Sequence, residues 1–383
     1  MPRRLDTDLV HAGDPHPRIG GAVVTPIFQS ATYELGDEAG YHDIRYLRLS
    51  NSPTHMALHG KLAAIEGGEA ALATASGMAA ISTALLAVLR SGDHLIAQRS
   101  LYGGTHELIT RDLSELGITT TFVDGDEPAQ WAAALRPSTR AFYCETLTNP
   151  RLELADLVGI ARFARTHGLV SLVDNTFASP VNFRPLAHGF DVVLHSATKY
   201  LNGHSDIVAG AVIGSAELVA RIKRKLDHFG GALDPHACYL LQRGLKTLGV
   251  RVRAQNASAL AIARMLSEHP QIAGVRYPGL PSHPQHDRAR ELLAGFGGMV
   301  AFEVEGGGDA AQRVLDALEL AIDAPSLGGA ESLITRPVKS SHAGMSAEQR
   351  AAIGITDGLV RLSVGLEDTA DLIDDLRQAL ARA

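Results

Sequence analysis

The segment Asp191-Val-Val-Leu-His-Ser-Ala-Thr-Lys199 is the most informative part of the sequence for the fold, because a short apolar run leads directly to a lysine. Residues 192–195 are too few for a stable helix and have the composition of a buried strand. In open α/β sheets, ligands bind at the carboxyl ends of the strands. The pattern therefore predicts that Lys199 lies at a ligand site, with the hydroxyls of Ser196 and Thr198 beside it.

Similar short apolar runs precede this stretch and are separated by segments with helical spacing. They predict buried strands at residues 94–98, 119–123, 141–145 and 169–173. A helix is predicted before them at residues 58–66, ending at Gly67 and Gly68, and further helices are predicted between several of the strands, for example at residues 154–167. Strands that alternate with helices predict an α/β fold with a mainly parallel central sheet, flanked by helices.

The chain changes character after about residue 235. The elements predicted there are strands at 297–304 and 360–364 and helices at 238–266, 310–320 and 371–382. This mixture predicts a smaller C-terminal α+β domain. We expect an N-terminal arm (1–45), a large domain (46–235) and a C-terminal domain (236–383). Residues 323–346 read as one long loop, and such loops in compact domains are usually functional.

The composition excludes several classes of protein. The chain has 383 residues, of which 45% are hydrophobic and 20% charged, so it can bury a sizeable core. Its net charge of −7 argues against a nucleic-acid-binding protein. The uncharged stretch 70–89 holds Thr74, Ser76 and Gly77, which favours a buried helix over a membrane span. With two cysteines and no secretory leader at the start, we expect a cytoplasmic protein.

Lys199 and its neighbouring hydroxyls suit a pyridoxal phosphate (PLP) site. A PLP enzyme needs a lysine for a Schiff base and donors for the phosphate oxygens. PLP also needs a carboxylate against its ring nitrogen, and Asp174 directly follows the strand predicted at residues 169–173. Each group has an ordinary alternative, because Ser-x-Thr-Lys often lies in a solvated loop and Asp174 could cap a helix. Their places at the ends of successive strands favour one shared crevice.

Two further segments fit the same cofactor. Ser76-Gly77-Met78 opens a predicted helix, and helix N-termini bind phosphate through their free N–H groups. Tyr102 follows another predicted strand and could stack on an aromatic ring. A simple helix start and an ordinary core tyrosine are the alternatives.

Arg361 lies inside the predicted strand 360–364, where an unpaired charge is unfavourable. Its guanidinium suits a substrate carboxylate, to which Ser326 in the long loop could also donate, and a structural salt bridge is the alternative. The histidines give no metal signature: none forms His-Glu-x-x-His, and His283 and His286 lie in a proline-rich loop without a clear third ligand. We therefore expect no metal site.

Taken together, these segments resemble the Cys/Met-metabolism family of PLP enzymes, from about residue 46 to residue 376. This family includes cystathionine γ-synthase, cystathionine β- and γ-lyases, methionine γ-lyase and O-acylhomoserine sulfhydrylases. The most specific string is Asp191-Val-Val-Leu-His-Ser-Ala-Thr-Lys-Tyr-Leu-Asn-Gly-His-Ser-Asp206. Other matching strings, in the same order along the chain, are Leu62-Ala-Ala-Ile-Glu-Gly-Gly68, Ser76-Gly-Met-Ala-Ala80, Val173-Asp-Asn-Thr-Phe177, Ser326-Leu-Gly-Gly-Ala-Glu-Ser-Leu333 and Val360-Arg-Leu-Ser-Val-Gly-Leu-Glu-Asp368.

The resemblance implies the PLP-dependent transferase fold (aspartate aminotransferase-like, fold type I) and a role for each matching residue. Lys199 would carry PLP as an internal aldimine and then move protons, and Tyr102 would stack on the ring and act as an acid–base group. Asp174 would pair with the ring nitrogen. The implied phosphate ligands are Gly77, Met78, Ser196 and Thr198, and the implied substrate-carboxylate ligands are Arg361, Asn149 and Ser326. Tyr46 and Arg48 would reach the phosphate of a neighbouring subunit, which implies a catalytic dimer, usually paired into a homotetramer.

This sequence departs from the family pattern in ways that bear on the substrate. An extra residue, Ser52, interrupts the family's Asn-Pro-Thr string. Arg45 and Glu107 stand where cystathionine γ-lyases often carry an acidic and a basic residue, respectively. Gly104 stands where methionine γ-lyases usually carry cysteine, which weighs against that activity.

The resemblance predicts a trans-sulfuration enzyme that cleaves the C–S bond of cystathionine or a related sulfur amino acid by γ- or β-elimination. The alternative within the family is γ-replacement, which joins an O-acylated homoserine to a thiol, as in cystathionine γ-synthase or O-acylhomoserine sulfhydrylase. A non-catalytic PLP-fold protein is disfavoured because Lys199, Asp174, Tyr102 and Arg361 are all present. A nucleotide-binding protein is disfavoured because the sequence has no phosphate-binding loop motif.

Overall fold

The computed structural model describes residues 3–37 and 40–383. Within these residues the strands form one sheet of seven strands and one of five. The strands of the larger sheet are β1 (Ala70–Thr74), β2 (His94–Gln98), β3 (Thr119–Val123), β4 (Thr139–Glu145), β5 (Val170–Asp174), β6 (Val192–His195) and β7 (Gly210–Gly214). Their order across the sheet is β1-β7-β6-β5-β4-β2-β3.

The larger sheet is parallel except for one strand. β7 pairs antiparallel with β1 and with β6. The pairs β6–β5, β5–β4, β4–β2 and β2–β3 are all parallel. The predicted mainly parallel sheet is therefore confirmed, and strands β2, β3 and β6 have the predicted bounds.

Helices in the described residues are α1 (Leu5–His11), α2 (Pro53–Glu66), α3 (Gly77–Val88), α4 (Gly103–Glu107), α5 (Leu113–Glu115), α6 (Pro128–Ala134), α7 (Leu157–Thr166), α8 (Ser179–Asn182), α9 (Ala216–Phe229), α10 (Pro235–Leu245), α11 (Leu248–Ser267), α12 (His286–Leu292), α13 (Gly307–Ala317), α14 (Ala347–Ala352) and α15 (Thr369–Leu380). Helices α2 and α7 cover one face of the larger sheet, and α3 covers the other with α9 behind it. Alternate strand residues therefore enter different cores: Leu172 and Leu194 face α3, whereas Val173 and Val193 face α2. Burial on both faces explains why these strands read as continuous apolar runs.

The smaller sheet contains β8 (Ile272–Arg276), β9 (Met299–Val304), β10 (Ile322–Asp323), β11 (Leu333–Thr335) and β12 (Leu359–Ser363), in the order β10-β11-β12-β9-β8. Its neighbours are antiparallel, except for the parallel pair β10–β11. Helices α11 and α13 pack on this sheet, and α15 packs on both helices. Arg361 lies in the middle of β12, opposite Ala301 of β9 and Thr335 of β11.

Two predicted helices are wrong in part. The stretch 70–89 begins with β1, and α3 starts only at Gly77, because pairing with β7 overrides the helix propensity of its alanines. The helix predicted at residues 238–266 is two helices, α10 and α11, with a break at Lys246 and Thr247. Buried Arg251 donates to the Gly244 carbonyl at 2.9 Å, so its side chain takes an acceptor that a continuous helix would need.

Smaller corrections concern the two segments that were expected to be irregular. The N-terminal arm contains α1, and the segment 323–346 contains β11 and a 3-10 turn at Pro337–Lys339. Residues 38 and 39, within the predicted arm, lie outside the described residues. In the described part of the chain, no helix has both the length and the apolar character to cross a bilayer. The domain division at residues 45 and 235 stays a prediction.

Candidate active site

A cavity of about 770 Å³ opens at the carboxyl ends of β4, β5 and β6 and at the start of α3. Ten of the predicted site residues line it: Gly77, Met78, Tyr102, Asn149, Asp174, Ser196, Thr198, Lys199, Ser326 and Arg361. The first eight come from the strand ends, the start of α3 and the loops of the larger sheet, whereas Ser326 lies between β10 and β11 and Arg361 lies in β12 of the smaller sheet. Tyr46 and Arg48 do not line this cavity.

Lys199 follows β6 by one turn and is largely buried. Its Nζ donates to Ser326 Oγ at 2.7 Å. None of the ion pairs found within the described residues involves Lys199. Burial, together with the positive charge of Arg361, lowers the pKa of Lys199 to about 8. A lysine with this pKa has a substantial neutral fraction near neutral pH, and the neutral amine is the nucleophile.

Asp174 ends β5, the strand next to β6, and its side chain opens into the same cavity. One oxygen, Oδ1, accepts hydrogen bonds from the Thr176 backbone N–H at 2.9 Å and the Thr176 hydroxyl at 2.5 Å. Burial raises the pKa of Asp174, and the hydrogen bonds from Thr176 act against that shift. This buried carboxylate can hold a cationic ring N–H.

The start of α3 offers free donors to an anion. Ser76 Oγ accepts from the Ala79 N–H at 3.0 Å, which leaves the N–H groups of Gly77 and Met78 without an acceptor inside the helix. A Cβ at Gly77 would approach the Ser196 Cβ to 2.7 Å, so glycine is needed where the two segments meet. The Thr198 hydroxyl donates to the Ala209 carbonyl at 3.1 Å. The arrangement suits a phosphate held by backbone N–H groups and the Ser196 hydroxyl.

Tyr102 borders the cavity just before α4 and is 43% exposed. Its backbone N–H donates to Glu145 Oε1 at 2.6 Å. A Cβ at Gly104 would come within 2.7 Å of the Tyr102 ring, so the glycine leaves space for the ring in this position. Glu145 is not among the residues predicted for the site, although it ends the predicted strand 141–145, as Asp174 follows the strand predicted at residues 169–173.

Arg361 is 5% exposed and reaches the cavity from β12. Its Nη1 donates to Asn149 Oδ1 at 2.8 Å, and its Nη2 donates to the Ser326 carbonyl at 3.1 Å. Its buried Nε has no partner among the described residues, and none of the ion pairs found there involves Arg361. Burial lowers the pKa of Arg361 to about 10. A guanidinium with an unused donor can bind a carboxylate.

Ser326 joins these two cationic groups. Its hydroxyl accepts from Lys199, its carbonyl accepts from Arg361, and its backbone has a φ of 101°. A positive φ is strained for a serine and persists only where the surroundings impose it. Ser326 thus fixes the relative positions of the amine and the guanidinium.

Arg48 makes its contacts within the chain, outside the cavity. Its Nη1 donates to the Asp227 carbonyl at 2.5 Å, its Nη2 contacts the Tyr41 hydroxyl, and the guanidinium lies over the Tyr46 ring at 5.4 Å. The contact of Tyr46 and Arg48 with a neighbouring subunit stays a prediction. In the described residues, no three histidine, cysteine, aspartate or glutamate side chains are grouped as metal ligands would be.

Comparison with known proteins decides the family. A family model described as Cys/Met metabolism PLP-dependent enzyme matches residues 6–381. The chain belongs to this family. The predicted PLP-dependent fold and the predicted cofactor are therefore confirmed.

Similar proteins match over almost their whole length. An L-methionine γ-lyase of Pseudomonas putida is 44% identical over 98% of this chain and 96% of its own. A cystathionine γ-lyase of Bacillus subtilis (strain 168) is 44% identical over 98% of both chains. The crystal structure of cystathionine γ-lyase from Lactobacillus plantarum complexed with L-serine superimposes with a TM-score of 0.94, at 38% identity and 99% coverage of both chains.

The cavity fits PLP on its own chemistry. It combines a half-buried amine, a buried carboxylate on the neighbouring strand end and a glycine-lined helix start. These three groups match the aldehyde, the ring nitrogen and the phosphate of PLP. Arg361 lines another part of the cavity and forms none of the ion pairs found within the described residues, so its guanidinium suits a substrate carboxylate.

Proposed function

We propose that this protein is a PLP-dependent carbon–sulfur lyase that cleaves cystathionine or a related sulfur amino acid by γ-elimination, with β-elimination as the shorter variant. The observation that carries the proposal is that Arg361, which forms none of the ion pairs found within the described residues, lines the cavity that also holds Lys199 and Asp174. An amino-acid substrate needs such a carboxylate site beside the reactive amine. The names of the relatives, cystathionine γ-lyase and L-methionine γ-lyase, support the same reaction class.

Each residue has a physical task in this reaction. Arg361 and Asn149 hold the α-carboxylate, and Ser326 sets the distance from that carboxylate to the Lys199 amine. The neutral Lys199 amine binds the cofactor and later takes the proton from the substrate Cα. Asp174 keeps the ring nitrogen protonated. When bound, PLP supplies the electron sink for the charge left at Cα.

The leaving group also needs a proton. The Tyr102 side chain borders the cavity and is partly open to solvent. It is the acid–base group for the departing sulfur. Gly77, Met78 and Ser196 hold the phosphate, and Thr198 joins them when its hydroxyl turns from the Ala209 carbonyl to the phosphate, so that cofactor and substrate contact different walls of the cavity.

The segment 323–341 favours a substrate that is charged at both ends. Asp323 and Lys339 both line the cavity, and Lys339 Nζ donates to Gln312 Oε1 at 2.6 Å rather than to a carboxylate. An ammonium and a carboxylate at the distal end of cystathionine complement these two charges. Methionine, whose distal end is a methyl group, does not need them.

Methionine is the second candidate substrate, because L-methionine γ-lyases are among the similar proteins. Gly104 supports cystathionine instead. A side chain at this position would displace the Tyr102 ring or approach the Met78 sulfur, which lies 3.3 Å from the Cβ position. The cavity is thus shaped differently from one that carries cysteine there.

A substrate panel tests the proposal. The purified protein with PLP is incubated with cystathionine, methionine, cysteine and O-acylhomoserines, each with and without a thiol, and the products are identified by mass spectrometry. Ammonia and a 2-oxo acid from cystathionine alone support the lyase. A thioether formed only with a second substrate would show γ-replacement, and protein that stays colourless with PLP would show that no cofactor is bound.

We also propose a homodimer that completes the site, paired into a tetramer. In the single chain, Tyr46 and Arg48 lie outside its own cavity, as they should if they serve a neighbouring one. Cys144 and Cys238 are both free and buried, which is in keeping with a reducing cytoplasm. Sedimentation at several protein concentrations measures the assembly.

A further inference from the structure

Glu145 is a buried acid at the cavity that the proposed reaction does not use. It ends β4, is 4% exposed and lines the cavity. None of the ion pairs found within the described residues involves it. A buried carboxyl without a cationic partner is expensive, so its neighbours must compensate for the lost water.

The neighbours of Glu145 are two segments of the site. Its Oε1 accepts from the Tyr102 N–H at 2.6 Å, and the backbone N–H of Asn149 faces the same carboxyl. Asn149 in turn accepts from Arg361 Nη1 at 2.8 Å. One carboxyl therefore connects the tyrosine at the leaving-group side with the residue that holds the guanidinium.

Glu145 is also paired with Asp174. The two residues lie opposite each other on β4 and β5 and both line the cavity. Two buried carboxyls at neighbouring strand ends disfavour a charge on both. Burial and the nearby Asp174 raise the pKa of Glu145 well above its usual value. Both carboxyls also accept two hydrogen bonds that favour the charged form, from Thr176 to Asp174 and from the backbone N–H groups of Tyr102 and Asn149 to Glu145.

We propose that Glu145 is a positioning residue, whose carboxyl fixes Tyr102 and the Asn149–Arg361 pair at a set distance from each other. This role rests on the proposed function, since it aligns the acid for the leaving sulfur with the site for the substrate carboxylate. A neutral acid or an amide at residue 145 can accept the Tyr102 N–H. An alanine cannot.

The test compares Glu145→Ala, Glu145→Gln and the control Glu153→Ala, which removes a carboxylate paired with Arg151 from the neighbouring segment. We expect Glu145→Ala to lower kcat/KM by about 10- to 100-fold, as for the loss of a buried hydrogen bond. Glu145→Gln should stay within about 3-fold of the parent, because it keeps the acceptor. The control Glu153→Ala should have the same kcat/KM as the parent. The proposal would be overturned if Glu145→Gln lost as much kcat/KM as Glu145→Ala, or if Glu145→Ala kept the kcat/KM of the parent.

A second readout does not depend on turnover. The visible circular dichroism of bound PLP reports the orientation of its ring, and it should change in Glu145→Ala and recover in Glu145→Gln. If the alanine variant does not fold, Glu145→Asp replaces it: the shorter carboxyl cannot reach the Tyr102 N–H and should give the same loss. An aspartate variant with parent kcat/KM and dichroism contradicts positioning. If the parent cleaves no sulfur amino acid, the proposed function fails, while the dichroism still decides the role of Glu145.

Discussion

The two sheets contribute to the cavity in different ways. The seven-stranded sheet presents its groups at strand ends, as Asp174 on β5 and Lys199 just after β6. The five-stranded sheet presents Arg361 from the middle of β12, supported by the strained Ser326. Parallel strands open a crevice at one edge by topology, whereas a charge in the middle of a strand must be held by specific contacts. The cofactor side is therefore built by the architecture of the fold and the carboxylate side by individual hydrogen bonds.

The largest expected effect lies on the larger sheet. Lys199→Ala removes the only amine proposed to bind the cofactor covalently, so turnover should fall by at least about 10³-fold. The visible absorbance of the bound cofactor should be lost as well. Normal turnover in this variant would contradict the assignment of Lys199. It would also contradict the conclusion that the larger sheet provides the cofactor side of the cavity.

A nearly equal loss should come from the smaller sheet, but without loss of cofactor. Arg361→Ala removes a buried guanidinium that holds a charged substrate group, so kcat/KM should fall by about 10²- to 10³-fold. PLP affinity, measured by titration of the visible absorbance, should stay at the parent value. If PLP affinity falls in parallel, Arg361 does not belong to a separate substrate wall.

The pH dependence of PLP uptake tests the state of the Lys199 amine at the edge of the larger sheet. Only the neutral Lys199 amine attacks the cofactor, and its pKa is lowered to about 8. Uptake by the apo-protein should therefore rise about 50-fold from pH 6 to pH 8 and level off above that. Stopped-flow absorbance measures this rate. A midpoint near the ordinary lysine pKa would show that the amine is not desolvated, and Lys199→Ala is the control without covalent uptake.

A smaller effect is expected from outside the single-chain cavity. Arg48→Ala should weaken PLP binding about 10-fold if Arg48 donates to the phosphate of a neighbouring subunit. The control is Arg111→Ala, which removes an exposed arginine paired with Glu107. Equal PLP affinity in Arg48→Ala, the control and the parent would show that Arg48 does not contribute to PLP binding.

The smallest effect concerns the substrate end. Lys339→Met removes one of the two charges on the segment 323–341, so kcat/KM for cystathionine should fall about 3-fold, as for an exposed charge. The value for methionine should stay unchanged or rise. An equal loss of kcat/KM for cystathionine and for methionine would show that Lys339 does not distinguish the distal groups of the two substrates.

The comparison of the sheets also explains what the sequence could predict. Short apolar strands followed by Asp174 and Lys199 predict the sheet and the crevice, because burial on both faces leaves a simple pattern. The break between α10 and α11 could not be predicted, since the contact of Arg251 with the Gly244 carbonyl at this junction is visible only in the folded chain. The strand β1 was hidden for a similar reason: its alanines favour a helix until β7 lies beside them.

The candidate site also has features that the sequence indicates and features that only the folded chain shows. Residue types and motifs indicate the ten predicted groups that line the cavity. They do not indicate that Ser326 links Lys199 to Arg361, because that contact joins residues 127 positions apart in the chain. Glu145 could have been found from its strand end, yet its contact with Tyr102 is visible only in three dimensions.

The contacts of Arg251 bear on how the protein unfolds. Its guanidinium donates to the carbonyls of Tyr200 and Leu201, at 2.9 and 3.4 Å, as well as to that of Gly244. The turn that carries the reactive lysine is thus tied to the junction of α10 and α11. Opening this junction should release the lysine turn in the same cooperative step, so that cofactor loss and unfolding of the two helices share one barrier.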